Sequence, residues 1–102
     1  MSETLYAGSV EYLYCRVTGF DIDGVPADPT TYTPEVALVA PGQNRSAATW
    51  LAGTWVTVDG EDWIRVLAGS AEPLVAGVTR VFVRLAGAPE TIVRKAGQLS
   101  VE

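Results

Sequence analysis

A two-residue turn between alternating segments constrains this chain more than any other feature. In TWVTVDGEDWIRVL, residues 54–67, β-branched and aromatic residues stand on both sides of Asp59-Gly60. Asp-Gly suits a type I′ turn because both central residues of that turn adopt positive φ. The segment therefore predicts a β-hairpin, and one face of a hairpin must pack against further strands to be stable.

Four other segments have the composition and alternation of strands. They are SVEYLYCRVTGF at 9–20, EVALVA at 35–40, VTRVFVRLAG at 78–87 and APETIVRKAGQLSV at 88–101. The nearly all-apolar EVALVA is typical of a central strand, whereas the others have one drier and one wetter face. The residues predicted to face the core are Leu13, Cys15, Val17, Val81, Val83, Leu85, Leu99 and Val101.

Strands at this spacing, with turn signals between them and no helix of full length, predict an all-β antiparallel sandwich of about seven short strands. SAATWLAGTW at 46–55 is ambiguous and could hold a helical turn before Gly53. A length of 102 residues predicts one domain spanning residues 1–102. The single cysteine, Cys15, excludes an intrachain disulfide, and we interpret it as a small buried core residue.

The charge of the chain argues against two classes of partner. Lys and Arg total 7, Asp and Glu total 12, and the net charge is −5. An acidic chain with few cations repels both the phosphates of nucleic acid and an anionic membrane. The N-terminus lacks the basic and apolar regions of a signal peptide, and the apolar run VALVA is too short to span a bilayer. We therefore expect the protein to be made in a reducing cytoplasm.

The residues also argue against enzyme activity. The chain has no histidine, which removes the commonest general base and most zinc sites. The best metal candidate is DIDG, Asp21 to Gly24, but it lacks the third Asx and the closing glutamate of a calcium loop. The adjacent carboxylates Glu61 and Asp62 should point to opposite faces of their strand. We expect no catalytic residues, no cofactor and no bound metal.

Two sets of residues are candidates for binding. Trp50, Trp55 and Trp63 could stack on sugar rings, but they could also pack in the core, and Trp55 and Trp63 could pair across the hairpin. In TRVFVRLAG, Arg80, Phe82 and Arg84 alternate away from the apolar residues, with Arg65 on a neighbouring candidate strand. These residue types are enriched at protein interfaces, although a solvated face paired with local carboxylates explains them equally well.

The order of several short motifs resembles a known group of proteins. The chain has Trp50-x4-Trp55, then IRVLAG, then Leu74-x2-Gly77, then VFVRLAGAPE and VRKAGQLSV, and SVEYLYCRVTGFDIDGVPADPT also fits. The pattern resembles small Ig-like β-sandwich virion proteins of tailed phages and prophages of actinobacteria, which are distantly similar to the N-terminal domain of baseplate upper proteins. Phe82 stands where such proteins often have tryptophan.

This resemblance implies an Ig-like sandwich that serves as a non-enzymatic structural protein of a virion. A capsid decoration protein bound to the outer shell, with the major capsid protein as its partner, is the first expectation. A head–tail connector, a tail or baseplate component, and a carbohydrate-binding host-adhesion module are the alternatives. Homo-oligomerisation stays open, and the negative charge argues against a surface that faces packaged DNA.

Overall fold

The computed structural model describes residues 2–17, 21–22, 25–26, 28–70, 73–87 and 91–102. Within them the regular structure is mostly β-strand. In chain order the strands are β1 (Ser2–Leu5), β2 (Glu11–Val17), β3 (Asp21–Ile22), β4 (Val25–Pro26), β5 (Thr33–Val39), β6 (Trp50–Ala52), β7 (Thr54–Val58), β8 (Glu61–Ala68), β9 (Gly77–Ala86) and β10 (Thr91–Val101).

These strands form two packed sheets and a small ribbon. The larger sheet has the order β1-β10-β9-β5-β6, the smaller sheet has the order β2-β8-β7, and β3 pairs only with β4. The placing of β2, β8 and β7 in one sheet and of β10, β9 and β5 in the other matches the arrangement of Ig-like sandwiches. The predicted all-β sandwich is confirmed, and β5 is an interior strand as predicted, since it pairs with both β6 and β9.

One pairing differs from the predicted antiparallel pattern. β1 runs parallel to β10, with Leu5 opposite Val101. Backbone bonds continue this pairing, because Glu102 N donates to Leu5 O at 2.8 Å and Ala7 N donates to Glu102 O at 2.7 Å. No helix in the described part of the chain is long and apolar enough to cross a membrane.

The core lies between the two sheets and is built from alternate residues of their strands. Val36 of the larger sheet and Ile64 of the smaller sheet are fully buried in its centre. All of the predicted core residues except the half-buried Val17 belong to the buried cluster. Its members are Leu5, Leu13, Cys15, Tyr32, Val36, Ile64, Val66, Ala68, Leu74, Val81, Val83, Leu85, Leu99 and Val101.

A second buried region lies outside this core. Ala37 and Val39 are fully buried, yet they point to the outer face of the larger sheet, opposite Phe82 and Arg80 of β9. The segment 40–49 returns over this face, and its 3-10 helix, Arg45–Ala47, is the helical turn that the sequence allowed before Gly53. The larger sheet therefore buries apolar surface on both of its sides.

A second 3-10 helix, Pro29–Thr31, leads into β5. The Asp28 carboxylate caps it by accepting from Thr30 Oγ1 at 2.6 Å and from Thr30 N at 2.9 Å. These two bonds to the charged form lower the pKa of Asp28, the side-chain bond contributing most.

The predicted hairpin is present with the predicted turn. β7 and β8 pair antiparallel with Val58 opposite Glu61, which leaves only Asp59 and Gly60 in the turn. Asp59 has φ 50° and Gly60 has φ 76°, as a type I′ turn requires. Asp59 is the only non-glycine residue with positive φ among those the structure describes.

Replacing Gly60 by alanine should destabilise the hairpin through the backbone alone. A Cβ at this position would meet no atom within 4 Å, so no clash contributes. We expect Gly60→Ala to lower the free energy of unfolding by about 1 kcal/mol, because alanine is disfavoured at positive φ. Asp59→Asn is the control, since asparagine tolerates this region. Equal urea midpoints for Gly60→Ala and the wild type would contradict this prediction, because they would show that a side chain at residue 60 does not strain the turn.

Candidate docking face

The outer side of β9 carries the three residues that the sequence singled out. Arg80, Phe82 and Arg84 are half-buried, and they alternate with the buried core residues Val81 and Val83. The predicted alternation is therefore correct. The structure adds that the outer side of β9 lies in the middle of the larger sheet, between β5 and β10.

Arg84 is held by two neighbours. Its Nε and Nη2 donate to the two carboxylate oxygens of Glu35, at 3.0 and 2.9 Å. Its guanidinium carbon lies 4.4 Å from the centre of the Trp50 ring. Glu35 and Trp50 come from β5 and β6, so three adjacent strands contribute to one stacked and paired unit. A forked pair on an aromatic surface is a rigid arrangement, since a guanidinium matches a carboxylate in geometry.

Arg80 and Phe82 contact the segment 40–49. Arg80 Nη2 donates to the carbonyl oxygen of Gln43 at 2.8 Å. The guanidinium carbon of Arg45 lies 5.6 Å from the centre of the Phe82 ring, within the range of a cation–π contact. These contacts hold the returning segment over the sheet and explain why Val39 beneath it is buried.

We call this surface the docking face. Its charged and aromatic members are Glu35, Arg45, Trp50, Arg80, Phe82, Arg84 and Lys95, and Lys95 is included because it stands opposite Phe82 on β10. Four of the 7 basic residues of the chain therefore lie here, with Glu35 as the acidic member among the described strands of this face. A chain with a net charge of −5 thus presents a positively charged face that includes two aromatic rings.

One expectation about the arginines needs correction, and one alternative gains support. Pairing with local carboxylates was the alternative to a binding role, and Arg84 is paired with Glu35 and stacked on Trp50. Arg65 does not neighbour β9 at all. It lies on β8 in the smaller sheet, where its guanidinium carbon is 4.7 Å from the centre of the Tyr12 ring. Local alternation does not show which sheet a strand belongs to. The sequence therefore could not predict that Arg65 and β9 lie in different sheets.

The three tryptophans do not form a common surface. Trp50 belongs to the docking face. Trp55 packs against the core, and its Nε1 donates to the Tyr32 carbonyl oxygen at 2.9 Å. Trp63 lies on the outer side of the smaller sheet, opposite Arg16, and its buried Nε1 has no hydrogen-bond partner among the described residues.

The suggested pairing of Trp55 with Trp63 is wrong. In the hairpin Trp55 stands opposite Ile64, and Trp63 stands opposite Val56. A two-residue turn after Val58 fixes this register, and a slip of one residue moves a side chain to the other face. The predicted turn and the suggested pairing were therefore incompatible from the outset.

The sequence did not predict which residues contact the outer side chains of β9. Glu35 and Arg84 are 49 residues apart, and no local pattern joins them. The outer side of the smaller sheet was also missed as a surface, although the sequence placed Tyr12 and Tyr14 on the wetter face of their strand. Both are exposed there, beside the exposed Leu67 of β8.

The described residues bring together no group of three or more Cys, Asp or Glu side chains that could hold a metal ion. Asp23 and Gly24 of the DIDG segment lie outside the described residues, and so do the side chains of the other two. Glu61 and Asp62 point to opposite faces as predicted: Glu61 pairs with Arg16 at 2.8 Å, and Asp62 accepts from Thr57 Oγ1 at 3.3 Å. Cys15 is buried as predicted.

Comparison of the chain with protein-family models, with curated proteins and with solved structures found no match.

The Glu35–Arg84 pair should stabilise the domain more than the other ion pair does. The side chains of Glu35 and Arg84 are 23% and 30% exposed, whereas those of Glu61 and Arg16 are 43% and 49% exposed. We expect Glu35→Gln to cost about 1 kcal/mol of unfolding free energy and the control Glu61→Gln about 0.5 kcal/mol or less. Urea denaturation measures both. Equal costs would contradict a structural role for the forked pair.

Proposed function

We propose that this chain is a non-enzymatic structural protein of a tailed-phage virion, and that it decorates the outer surface of the capsid. Its partner is then the major capsid protein, and the docking face is the surface that contacts it. The motif order described above supports the phage setting, and the docking face supports a binding role.

The observation that carries the binding role is the charge and composition of the docking face. Four basic residues and two aromatic rings stand together on a chain whose remaining charged residues are mostly Asp and Glu. Arginine and aromatic residues supply most of the energy at protein interfaces, and a positive patch selects an acidic partner surface. None of these side chains belongs to the buried core cluster, so a partner can contact the face without disturbing the core.

The contacts within the face favour binding to a folded surface. Arg84 and Trp50 hold each other in place, and Arg80 is anchored to the backbone at Gln43. Side chains that are already ordered lose little rotamer freedom when a partner binds. A pre-ordered face of this kind suits repeated docking on identical sites of a shell.

The copy number in purified particles tests the proposed place in the virion. A decoration protein should be present in copies comparable to those of the major capsid protein, whereas a connector or tail component should be present in far smaller numbers. Quantitative mass spectrometry of gradient-purified particles measures the ratio. Absence of the chain from the particles would refute a virion role, and a small number would favour the connector or tail alternative.

Removing exposed charge from the docking face should weaken particle binding without unfolding the domain. Arg45 and Lys95 are exposed and flank Phe82, so Arg45→Gln with Lys95→Gln should leave the melting temperature within a few degrees. We expect binding to particles that lack the chain to weaken about tenfold, because two complementary contacts are lost.

The matched control adds the same net charge change to the other sheet. Thr54→Glu with Val58→Glu alters exposed residues on the outer side of β7. This variant should bind particles as the wild type does. Equal weakening by both variants would indicate an effect of net charge alone and would contradict docking through this face.

The carbohydrate-binding alternative is weakened by the separation of the tryptophans. A sugar platform needs exposed rings on one surface, whereas Trp55 packs against the core and Trp50 and Trp63 lie on opposite sheets. We expect tryptophan fluorescence to be blue-shifted in the native state and unchanged by cell-wall sugars of the host. Saturable quenching by a glycan at micromolar to millimolar concentration would instead support host adhesion.

A further inference from the structure

The two sheets are unequal, and the mismatch exposes one edge of the sandwich. The larger sheet has five strands and the smaller sheet has three. Among the described residues β2 pairs only with β8, so no described strand lies along its other edge. With 7 residues β2 is longer than the other edge strands, β1, β6 and β7, which have 4, 3 and 5 residues.

The β2 edge lacks the features that usually protect an edge strand. Natural edges are shortened, bulged, or interrupted by proline or lysine, because an open edge pairs with other chains. β2 contains no proline, its register with β8 is unbroken, and its charged residues, Glu11 and Arg16, stand near its two ends. Four uncharged residues, 12–15, lie between them.

A slot lies beside this edge, between β2 and the inner side of β10. Two cavities of about 280 Å³ each occupy it, one lined by Leu13, Cys15, Val81 and Leu99, the other by Val17, Val83, Leu85 and Ile92. Arg16 and Arg94 line the second cavity. Of the apolar lining residues Val17 and Ile92 are half-buried and the others are already buried, so a chain that paired with β2 would cover the exposed parts of Val17 and Ile92.

Arg94 determines what kind of chain fits. It stands opposite the buried Val83 and therefore points to the inner side of β10, yet it is exposed, because no described strand of the smaller sheet lies over it. No carboxylate of a described residue lies within ion-pair distance of it. A partner strand that brings a carboxylate into the slot would pair with this guanidinium in a partly water-excluded place.

We propose that the β2 edge accepts an extended strand from another protein, with apolar residues on its inward side and a carboxylate opposite Arg94. The added strand becomes the fourth strand of the smaller sheet. Backbone hydrogen bonds to β2 supply affinity, and the inward side chains supply specificity, as in other cases of strand addition. Lys95 lines the slot as well as the docking face, but the β2 edge and Arg94 belong to the slot alone, so failure of strand binding there would leave the proposed function standing.

Synthetic strands test the site directly. The probes are capped peptides of about eight residues that alternate threonine and valine, in a set where one glutamate replaces each valine in turn. At least one peptide should bind, and hydrogen exchange should slow at the amides of β2 but not at those of the other edge strand, β7. The same peptide with N-methyl groups on the edge that faces β2 should not bind, because it cannot form the ladder.

Charge exchange identifies the role of Arg94. Arg94→Glu changes an exposed residue and should leave the fold intact. We expect it to weaken the glutamate peptide about tenfold or more and to favour the matching lysine peptide. Arg45→Glu, an exposed residue on the outer side of the larger sheet, is the control and should not alter peptide binding.

Three outcomes would overturn the proposal. The first is no binding by any member of the set at about 1 mM. The second is binding that slows hydrogen exchange in another part of the chain, or binding that Arg94→Glu does not weaken. The third is protection of β2 that rises with protein concentration in the absence of peptide, which would identify a second copy of this chain as the occupant.

Discussion

The alternation of side chains along β9 is the constraint on which the rest of the structure depends. Burial of Val81, Val83 and Leu85 against the smaller sheet places Arg80, Phe82 and Arg84 on the outer side, because the side-chain period of a strand is two. β9 is the central strand of the larger sheet and pairs with both β5 and β10. Its register therefore decides which residues of those strands join the docking face.

The inequality of the two sheets has a different consequence on each side of the larger sheet. On the inner side, three strands cannot cover five, and the slot beside β2 and the exposed Arg94 result. On the outer side, the segment 40–49 covers Ala37 and Val39 and is held by Arg80 and Arg45. Arg80 and Arg45 thus stabilise the covered outer side of the larger sheet, and Arg94 lines its uncovered inner side.

The sequence predicted what local patterns can encode. The Asp59-Gly60 turn, the alternation of β2 and β9 and the interior place of β5 follow from residues that are neighbours in the chain. The parallel pairing of β1 with β10, the place of Arg65 and the Glu35–Arg84 pair depend on sheet order, which joins residues far apart. The placing of Trp55 and Trp63 on opposite faces is an intermediate case. It was not predicted, although the length of the turn alone already excluded their pairing.

The two surfaces suit partners of different physical states. The docking face is complete in itself: its guanidinium groups are stacked or hydrogen-bonded, and a partner meets side chains that need little further ordering. The slot can take an added strand, because no described strand lies along this edge of β2. A folded, acidic surface fits the first, and an extended segment fits the second. On our two proposals, this small domain attaches to a shell through one side and holds a neighbouring chain through the other.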